Sequence, residues 1–148
     1  MSRMSTRWTL SSTLLAAAGV SLILAGLYFI LLRPPLLPED LRFMSVSEDQ
    51  LGEVGPRLEA WLTQVFRVMG GYVLATGVLA TTLAATAYRA HSRGTGVGVL
   101  VGGMASIGLM AAVNFTIDSD FKWVLFAMAL LWASSLAAYW HEEGRART

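Results

Sequence analysis

Residues 8–32 decide the fold of this chain, and they read WTLSSTLLAAAGVSLILAGLYFILL. The run contains no Asp, Glu, Lys or Arg. An α-helix rises ~1.5 Å per residue, so about 20 residues cross the ~30 Å hydrocarbon core of a bilayer. We therefore expect residues 8–32 to form a transmembrane helix, with Trp8 and Tyr28 placed at the two membrane interfaces.

Three further charge-free runs of similar length follow, at residues 68–88, 94–117 and 123–140. Lipid offers the backbone no hydrogen-bond partners, so such runs must be helices or a closed barrel, and the strict alternation of barrel strands is absent. Short links between them favour antiparallel neighbours. The sequence predicts one all-α transmembrane domain over 1–148, an antiparallel four-helix bundle. We expect spans at about 8–32, 66–88, 95–117 and 122–141, and a structured extracytoplasmic loop with short helices at 33–65.

The composition agrees with a membrane protein and excludes several classes of function. Hydrophobic residues make up 55% of the chain, and charged residues make up 14%, against roughly 25% in soluble domains. A cleaved signal peptide is the alternative for the first run, but its apolar region would span only about 7–15 residues. Without cysteine there is no disulfide or thiolate chemistry. The net charge of +1 argues against a nucleic-acid partner.

The distribution of Lys and Arg sets the expected orientation, because these residues favour the cytoplasmic side. The two tails and the link after the second run carry six cations and two carboxylates, a net charge of +4. The opposite side carries five cations and eight carboxylates, a net charge of −3. Both termini should therefore be cytoplasmic. Arginine dominates over lysine, and Ala and Gly are abundant, which is typical of GC-rich bacterial genomes, so we expect a bacterial inner membrane.

The loop after the first run carries helix signals. Pro34 and Pro35 end the first helix, because proline cannot donate the next backbone hydrogen bond. The PED triplet at 38–40 predicts a short helix with acids near its N-terminus, and the SEDQ stretch at 47–50 matches a capping box that predicts a second one. The first short helix leaves three side chains for burial: Leu41, Phe43 and Met44.

Pro56 restarts a helix whose apolar side chains recur on one face as it runs into the second span. These side chains are Leu58, Trp61, Leu62, Val65, Phe66 and Met69. The pattern favours an interfacial helix that rests at the lipid headgroups. The alternative is a lid over a cavity between the helix ends.

Small residues recur every four positions in the third run, at Gly94, Gly98, Gly102 and Ser106. Such stripes let helix backbones approach closely in lipid. Shorter stripes occur at Ala17, Ser21 and Ala25 in the first run and at Gly77, Thr81 and Ala85 in the second. We favour packing of the four helices within one chain. The alternative is an interface with a second copy or with another membrane protein.

The centres of the four spans contain no ionisable side chain. This argues against a proton-coupled pump with a mid-membrane carboxylate and against a haem bundle, which needs a histidine inside a helix. His91 and His141 lie at predicted cytoplasmic ends, where we expect solvated residues. The sequence therefore predicts neither a cofactor nor a metal site.

Polar residues instead gather at the predicted outer ends of the spans. The candidate cluster at this outer mouth consists of Arg67, Tyr72, Asn114, Asp118 and Asp120, and the loop could add Glu39, Asp40 or Arg42 to it. One interpretation pairs Arg67 with Asp118, which shares a helix face with Asn114, to close a pocket for a small amphiphile. The ordinary interpretation has Arg67 reach the headgroups while Asp120 caps the fourth helix.

The loop stretch LPEDLRFM at 37–44, followed by SEDQL at 47–51 and PRL at 56–58, resembles a loop of small bacterial four-span proteins. The layout is similar to that of the DoxX-like and DUF4345-like membrane proteins. A His-Asp-Arg-like element enters the second span of such proteins, and here only Arg67 of QVFR at 64–67 matches it. The resemblance implies the four-span fold and supplies no activity.

No nucleophile–base pair, metal cluster or phosphate cradle is recognisable, so an enzyme acting on lipid or quinone is the weakest hypothesis. The leading hypothesis is a non-enzymatic inner-membrane protein that acts as an accessory or scaffold component. The alternative is a protein that binds or transports a small lipophilic molecule at the outer mouth. A cavity near Arg67 and Asn114 would favour binding, and a solid core would favour the scaffold.

Overall fold

The structure, a computed structural model, describes residues 8–146, and every regular element in that range is helical. The helices are α1 Leu10–Leu31, α2 Pro38–Met44, α3 Glu48–Leu51, α4 Gly55–Ala85, α5 Thr95–Gly103, α6 Leu109–Thr116 and α7 Lys122–Ala146. A 3-10 turn at Gly52–Val54 precedes α4, and a π-helical turn at Met104–Gly108 joins α5 to α6. We call α5, the π turn and α6 together span three. The predicted all-α fold is confirmed.

Four helical segments are long and apolar enough to cross a membrane: Leu10–Leu31, Asp49–Ala85, Thr95–Thr116 and Lys122–Ala146. The chain is therefore a multi-pass membrane protein. We call the end of the bundle that carries residues 32–54 the loop end. The opposite end, where α1 begins and α7 ends, is the terminus end.

The backbones of α1 and α4 touch at two pairs of glycines. A Cβ atom on Gly26 would lie 2.7 Å from the carbonyl oxygen of Gly70, and one on Gly77 would lie 2.6 Å from that of Gly19. Both distances are below van der Waals contact. The two helices run antiparallel, and the seven-residue spacing of the glycines on each helix brings both pairs into one seam.

Helix α7 packs against α1 on one side and against span three on the other. At the terminus end, the Ser135 hydroxyl of α7 donates to the carbonyl oxygen of Ser11 at 3.0 Å. On the other side, Trp132 Nε1 donates to the carbonyl oxygen of Val99 at 3.0 Å, and the indole ring fills the space that a side chain at Gly103 would need. Buried polar bonds thus fix α7 to both neighbours.

The spans pack in the order α4, α1, α7 and span three, so α1 and α7 form the inner pair, and α4 and span three share no extensive contact in residues 8–146. The predicted packing role of the span-three stripe is consequently wrong at Gly98 and Gly102. A Cβ atom on either residue would have no neighbour within 4 Å. The glycines of span three that do pack are Gly96, against Tyr139, and Gly103, against Trp132.

Replacing Gly70 by alanine should destabilise the protein, because the new methyl group would overlap the backbone of α1. Overpacking of this kind costs about 1–3 kcal/mol. The matched control is Gly71→Ala on the same helix, where a Cβ atom meets nothing within 4 Å. Thermal unfolding in mild detergent should show a lower midpoint for Gly70→Ala only. Equal midpoints for the two variants would contradict the seam.

Candidate functional site

A cavity of about 870 Å³ opens between α1, α4, span three and α7 in the half of the bundle nearest the loop end. Its volume lies in the range of sites that hold small ligands, about 300–1,000 Å³. Most of its surface is apolar. The apolar walls include Leu22 and Ala25 of α1, Met69 and Val73 of α4, Ile107, Met110 and Val113 of span three, and Leu125 and Met128 of α7.

The cavity is open sideways, toward the lipid. Tyr72 on α4 and Leu109 on span three both line it, and they are 73% and 59% exposed. These two residues stand on the two helices that do not pack against each other. A molecule within the bilayer can therefore reach the cavity between α4 and span three without passing through water.

The terminus end of the bundle is closed, which confines the cavity to the other half. Tyr88, in the link after α4, is fully buried and donates to the carbonyl oxygen of Ser135 at 3.0 Å. Burial raises the pKa of its phenol to about 12, so this group stays protonated as a donor. Its ring stacks on Tyr139, with 4.4 Å between centroids.

His91 belongs to the same plug, and its side chain, which was expected to be solvated, is 25% exposed. Its ring stacks on Tyr139 at 4.4 Å, and Nε2 lies 3.5 Å from a carboxylate oxygen of Glu142. Ser11 donates both its backbone N–H and its hydroxyl to that carboxylate, at 3.1 and 2.6 Å. The left-handed backbone at His91, φ 49°, turns the link back over the helix ends. His141 is exposed, as expected.

The π turn of span three forms part of the cavity wall, through Ser106 and Ile107. A π turn inserts one extra residue and frees a backbone group, and such turns occur frequently at functional sites. The Ser106 hydroxyl donates to the carbonyl oxygen of Gly102 at 2.6 Å, which satisfies an oxygen near the disturbed turn. The periodicity of the sequence contains no sign of this interruption.

Arg33 stands at the loop end of the cavity with its side chain only 8% exposed. Its guanidinium lies 3.1 Å from a carboxylate oxygen of Asp40 and 3.4 Å from the centre of the Phe66 ring. It also donates to the carbonyl oxygen of Pro34 at 2.9 Å. Ion pair and cation–π contact together fasten the loop to α4.

Helix α2 covers the loop end of the cavity with Glu39, which is 3% exposed. The Ser119 hydroxyl, in the turn between span three and α7, donates to Glu39 Oε1 at 3.3 Å. The prediction that α2 buries its apolar side chains is wrong for Phe43 and Met44, which are exposed. The helix is rotated so that its first-turn acids face the bundle.

A second contact ties α2 to the same turn. Arg42 donates to the carbonyl oxygen of Asp118 at 2.8 Å and lies 3.4 Å from a carboxylate oxygen of Asp120. Lys122 binds the Asp118 carboxylate, and this hydrogen bond holds the pKa of Asp118 below its usual range. Helix α2 is therefore the lid over the cavity. The first turns of α4, which the sequence offered as the alternative lid, carry an exposed Trp61.

The structure brings together only part of the predicted outer-mouth cluster. Tyr72 and Asn114 line the cavity, and the Asn114 amide donates to the carbonyl oxygen of Met110 at 2.8 Å. Asp118 and Asp120 lie outside the cavity on its rim. Arg67 is exposed and does not line the cavity, so the proposed pair with Asp118 is not formed.

The ordinary interpretation had Asp120 cap α7, but the side chain of Asp120 does not do so. The Ser119 hydroxyl accepts the backbone N–H of Phe121 at 3.1 Å, in the turn just before α7 begins at Lys122. Arg33 was missed as a site residue, and Glu39 was named only as a possible addition to the outer-mouth cluster. One signal was available: Arg33 follows the longest apolar run directly, and an acid lies seven positions later at Asp40. Which cation of the loop would be buried depends on tertiary neighbours.

Within residues 8–146, no group of three or more His, Asp or Glu side chains is placed to hold a metal ion. Comparison of the chain with protein-family models, with curated proteins and with solved structures finds no match in any of the three. The resemblance to the DoxX-like and DUF4345-like proteins stays a prediction from the sequence. The cavity is the feature from which a function can be inferred.

Replacing Arg33 by alanine should destabilise the loop end, because it leaves Asp40 without its cation and removes the cover of Phe66. Loss of one partner of a largely buried charged pair costs about 1–3 kcal/mol or more. Arg67→Ala, at an exposed position, is the matched control. Arg33→Ala should lower the unfolding midpoint and speed proteolysis within residues 34–54. A lower unfolding midpoint and faster proteolysis for Arg67→Ala than for Arg33→Ala would show that Arg33 does not hold the loop.

Proposed function

We propose that this protein binds a small lipophilic molecule in the cavity between α1, α4, span three and α7. The single observation that carries the proposal is the cavity itself, about 870 Å³, apolar along its walls and polar at the loop end. A bundle that served only as a scaffold would be expected to fill this space, because packed interiors leave few voids larger than a water molecule.

The polarity of the cavity supports an amphiphile rather than a purely apolar ligand. The tail would lie between side chains such as Val73, Met110 and Met128, and the head would meet Glu39 and Ser119 beneath α2. The opening between α4 and span three supports exchange with the surrounding lipid. We propose binding or transport without catalysis, since the one hydroxyl–carboxylate contact among the described residues of the cavity, Ser119 with Glu39, has no third group that orients the carboxylate as a base.

We further propose a bacterial inner membrane, with both termini in the cytoplasm. The bias of positive charge toward the terminus end supports this orientation. The loop end, α2 and the cavity would then face the periplasmic side, in the outer leaflet of that membrane. A ligand would enter from the leaflet that is exposed to the periplasm.

An accessory or scaffold role is the second candidate, and a different surface favours it. Gly98 and Gly102 leave an open strip along span three, where another helix backbone can approach closely. A second copy of the chain or another membrane protein would then be the partner. This role does not require the cavity, so the two candidates can be tested separately.

Filling the cavity should abolish ligand binding. Ala25→Phe places a ring into the cavity wall of α1, whereas Ala17→Phe adds the same ring at an exposed position of the same helix. Mass spectrometry of protein extracted with its native lipid should detect one retained lipophilic molecule per chain in the wild type and in Ala17→Phe. Ala25→Phe should lose it. Retention by Ala25→Phe, or none in the wild type, would refute the proposal.

Replacing Gly98 and Gly102 by leucine should leave the monomer folded, because both positions face open space. If the strip binds a second copy, size-exclusion chromatography with light scattering in mild detergent should show the wild type as an oligomer and the double variant as a monomer. An unchanged oligomer, or a wild type that is already monomeric, would exclude self-association through this strip.

A further inference from the structure

We infer that the cavity selects an amphiphile whose head carries a protonated amine, and that the carboxylate of Glu39 recognises this ammonium group. The inference rests on the proposed function and deepens it, because it assigns the chemical class of the ligand. It follows from the charges that line the cavity, from the surroundings of Glu39 and from the shape of the walls.

Three charged residues line the cavity: Arg33, Glu39 and Asp40. Two of them satisfy each other, since the Arg33 guanidinium binds the Asp40 carboxylate at 3.1 Å. The same carboxylate oxygen accepts the backbone N–H of Leu37 at 2.9 Å. Arg33 is occupied further by the Phe66 ring and by two proline carbonyl oxygens. The charge that remains without a counter-charge is the negative charge of Glu39.

Glu39 is buried but nearly unpartnered. In the part of the chain that the structure describes, its only hydrogen bond comes from the Ser119 hydroxyl at 3.3 Å, and no cationic nitrogen lies within 4.0 Å of its oxygens. An ionised carboxylate can accept about four hydrogen bonds. A buried charge of this kind is costly unless an opposite charge and further donors meet it. A ligand can supply both.

The carboxylate of Glu39 has acceptor capacity at the cavity beyond the one hydrogen bond from Ser119. An ammonium head offers three N–H donors and one positive charge. An anionic head would face repulsion from Glu39, and a neutral alcohol would supply a donor without a counter-charge.

The walls suit one hydrocarbon tail beneath that head. Away from Glu39 the cavity is lined by apolar side chains such as Val73, Met110 and Met128, and it opens sideways between Tyr72 and Leu109. A tail can therefore remain in the hydrocarbon layer while the head turns inward under α2. The occupant that fits is a single amphiphile with a cationic amine, taken from the bilayer.

The test uses the full chain in a non-ionic detergent and three probes with the same twelve-carbon tail: dodecylamine, dodecanol and dodecanoate. Native mass spectrometry counts the bound probe per chain at equal probe concentrations. The wild type should retain dodecylamine about tenfold better than either other probe, the order expected for one charge-assisted hydrogen bond. Ala25→Phe should lose all three probes alike.

Glu39→Gln should abolish the preference for the amine while keeping the shape of the site. Glu53→Gln is the matched control, because Glu53 lies in the same loop, is exposed and does not line the cavity. It should keep the wild-type preference. Helical circular dichroism and the unfolding midpoint report whether each variant is folded. If Glu39→Gln does not fold, the wild-type comparison of the three probes decides alone.

The outcomes separate this inference from the function on which it rests. Equal binding of the three probes by the wild type, lost in Ala25→Phe, would overturn the amine selectivity and leave the lipophile-binding function standing. A preference for dodecanoate would overturn the selectivity and point to Arg33. Failure of every probe to bind, or a co-purifying polypeptide that occupies the cavity, would overturn both.

Discussion

Two pairs of glycines hold α1 and α4 so closely that their backbones are in contact, and the remaining architecture depends on that contact. Lipid gives apolar side chains little reason to prefer another helix, so close packing and polar bonds must hold the spans together. With α4 fixed to one side of α1, α7 takes another side through Ser11, Ser135 and Glu142. Span three is then held by α7 rather than by α4.

The cavity is a consequence of this order of helices. Because α4 and span three have no extensive contact, the space between them is closed only where something else fills it. At the terminus end Tyr88 and His91 from the connecting link form that plug. At the other end there is only α2, a helix of seven residues held by Arg33, Arg42 and the contact of Glu39 with Ser119.

Local sequence was sufficient to predict the helices. Charge-free runs locate the four spans, and prolines at 34, 35, 38 and 56 mark where the first span ends and where α2 and α4 begin. These prolines predict helix boundaries because proline constrains its own backbone and that of its immediate neighbours, without help from the rest of the fold. Tyr72 and Asn114 both line the cavity, but Tyr72 does so from the middle of α4 and not from a helix end.

Local sequence did not predict which helices pack against each other. Gly98 and Gly102 look better suited to packing than Gly19 and Gly77, yet they face open space, because a glycine packs only where a neighbouring helix crosses it. Arg33 and Arg67 both lie beside apolar runs, and only the position of Asp40 and Phe66 in space distinguishes them. Burial of Glu39 depends on the turn at Ser119, eighty residues later in the chain.

The choice of neighbours around α1 has a consequence for how the protein is made. The ribosome releases α1 before the other three spans, but its two neighbours in the finished bundle are the second span and α7. While span three is being synthesised, the side of α1 that carries Ser11 still lacks Glu142 and Ser135. The four-span bundle can therefore be completed only after α7 has entered the membrane, because Ser11 obtains its partners only from that helix.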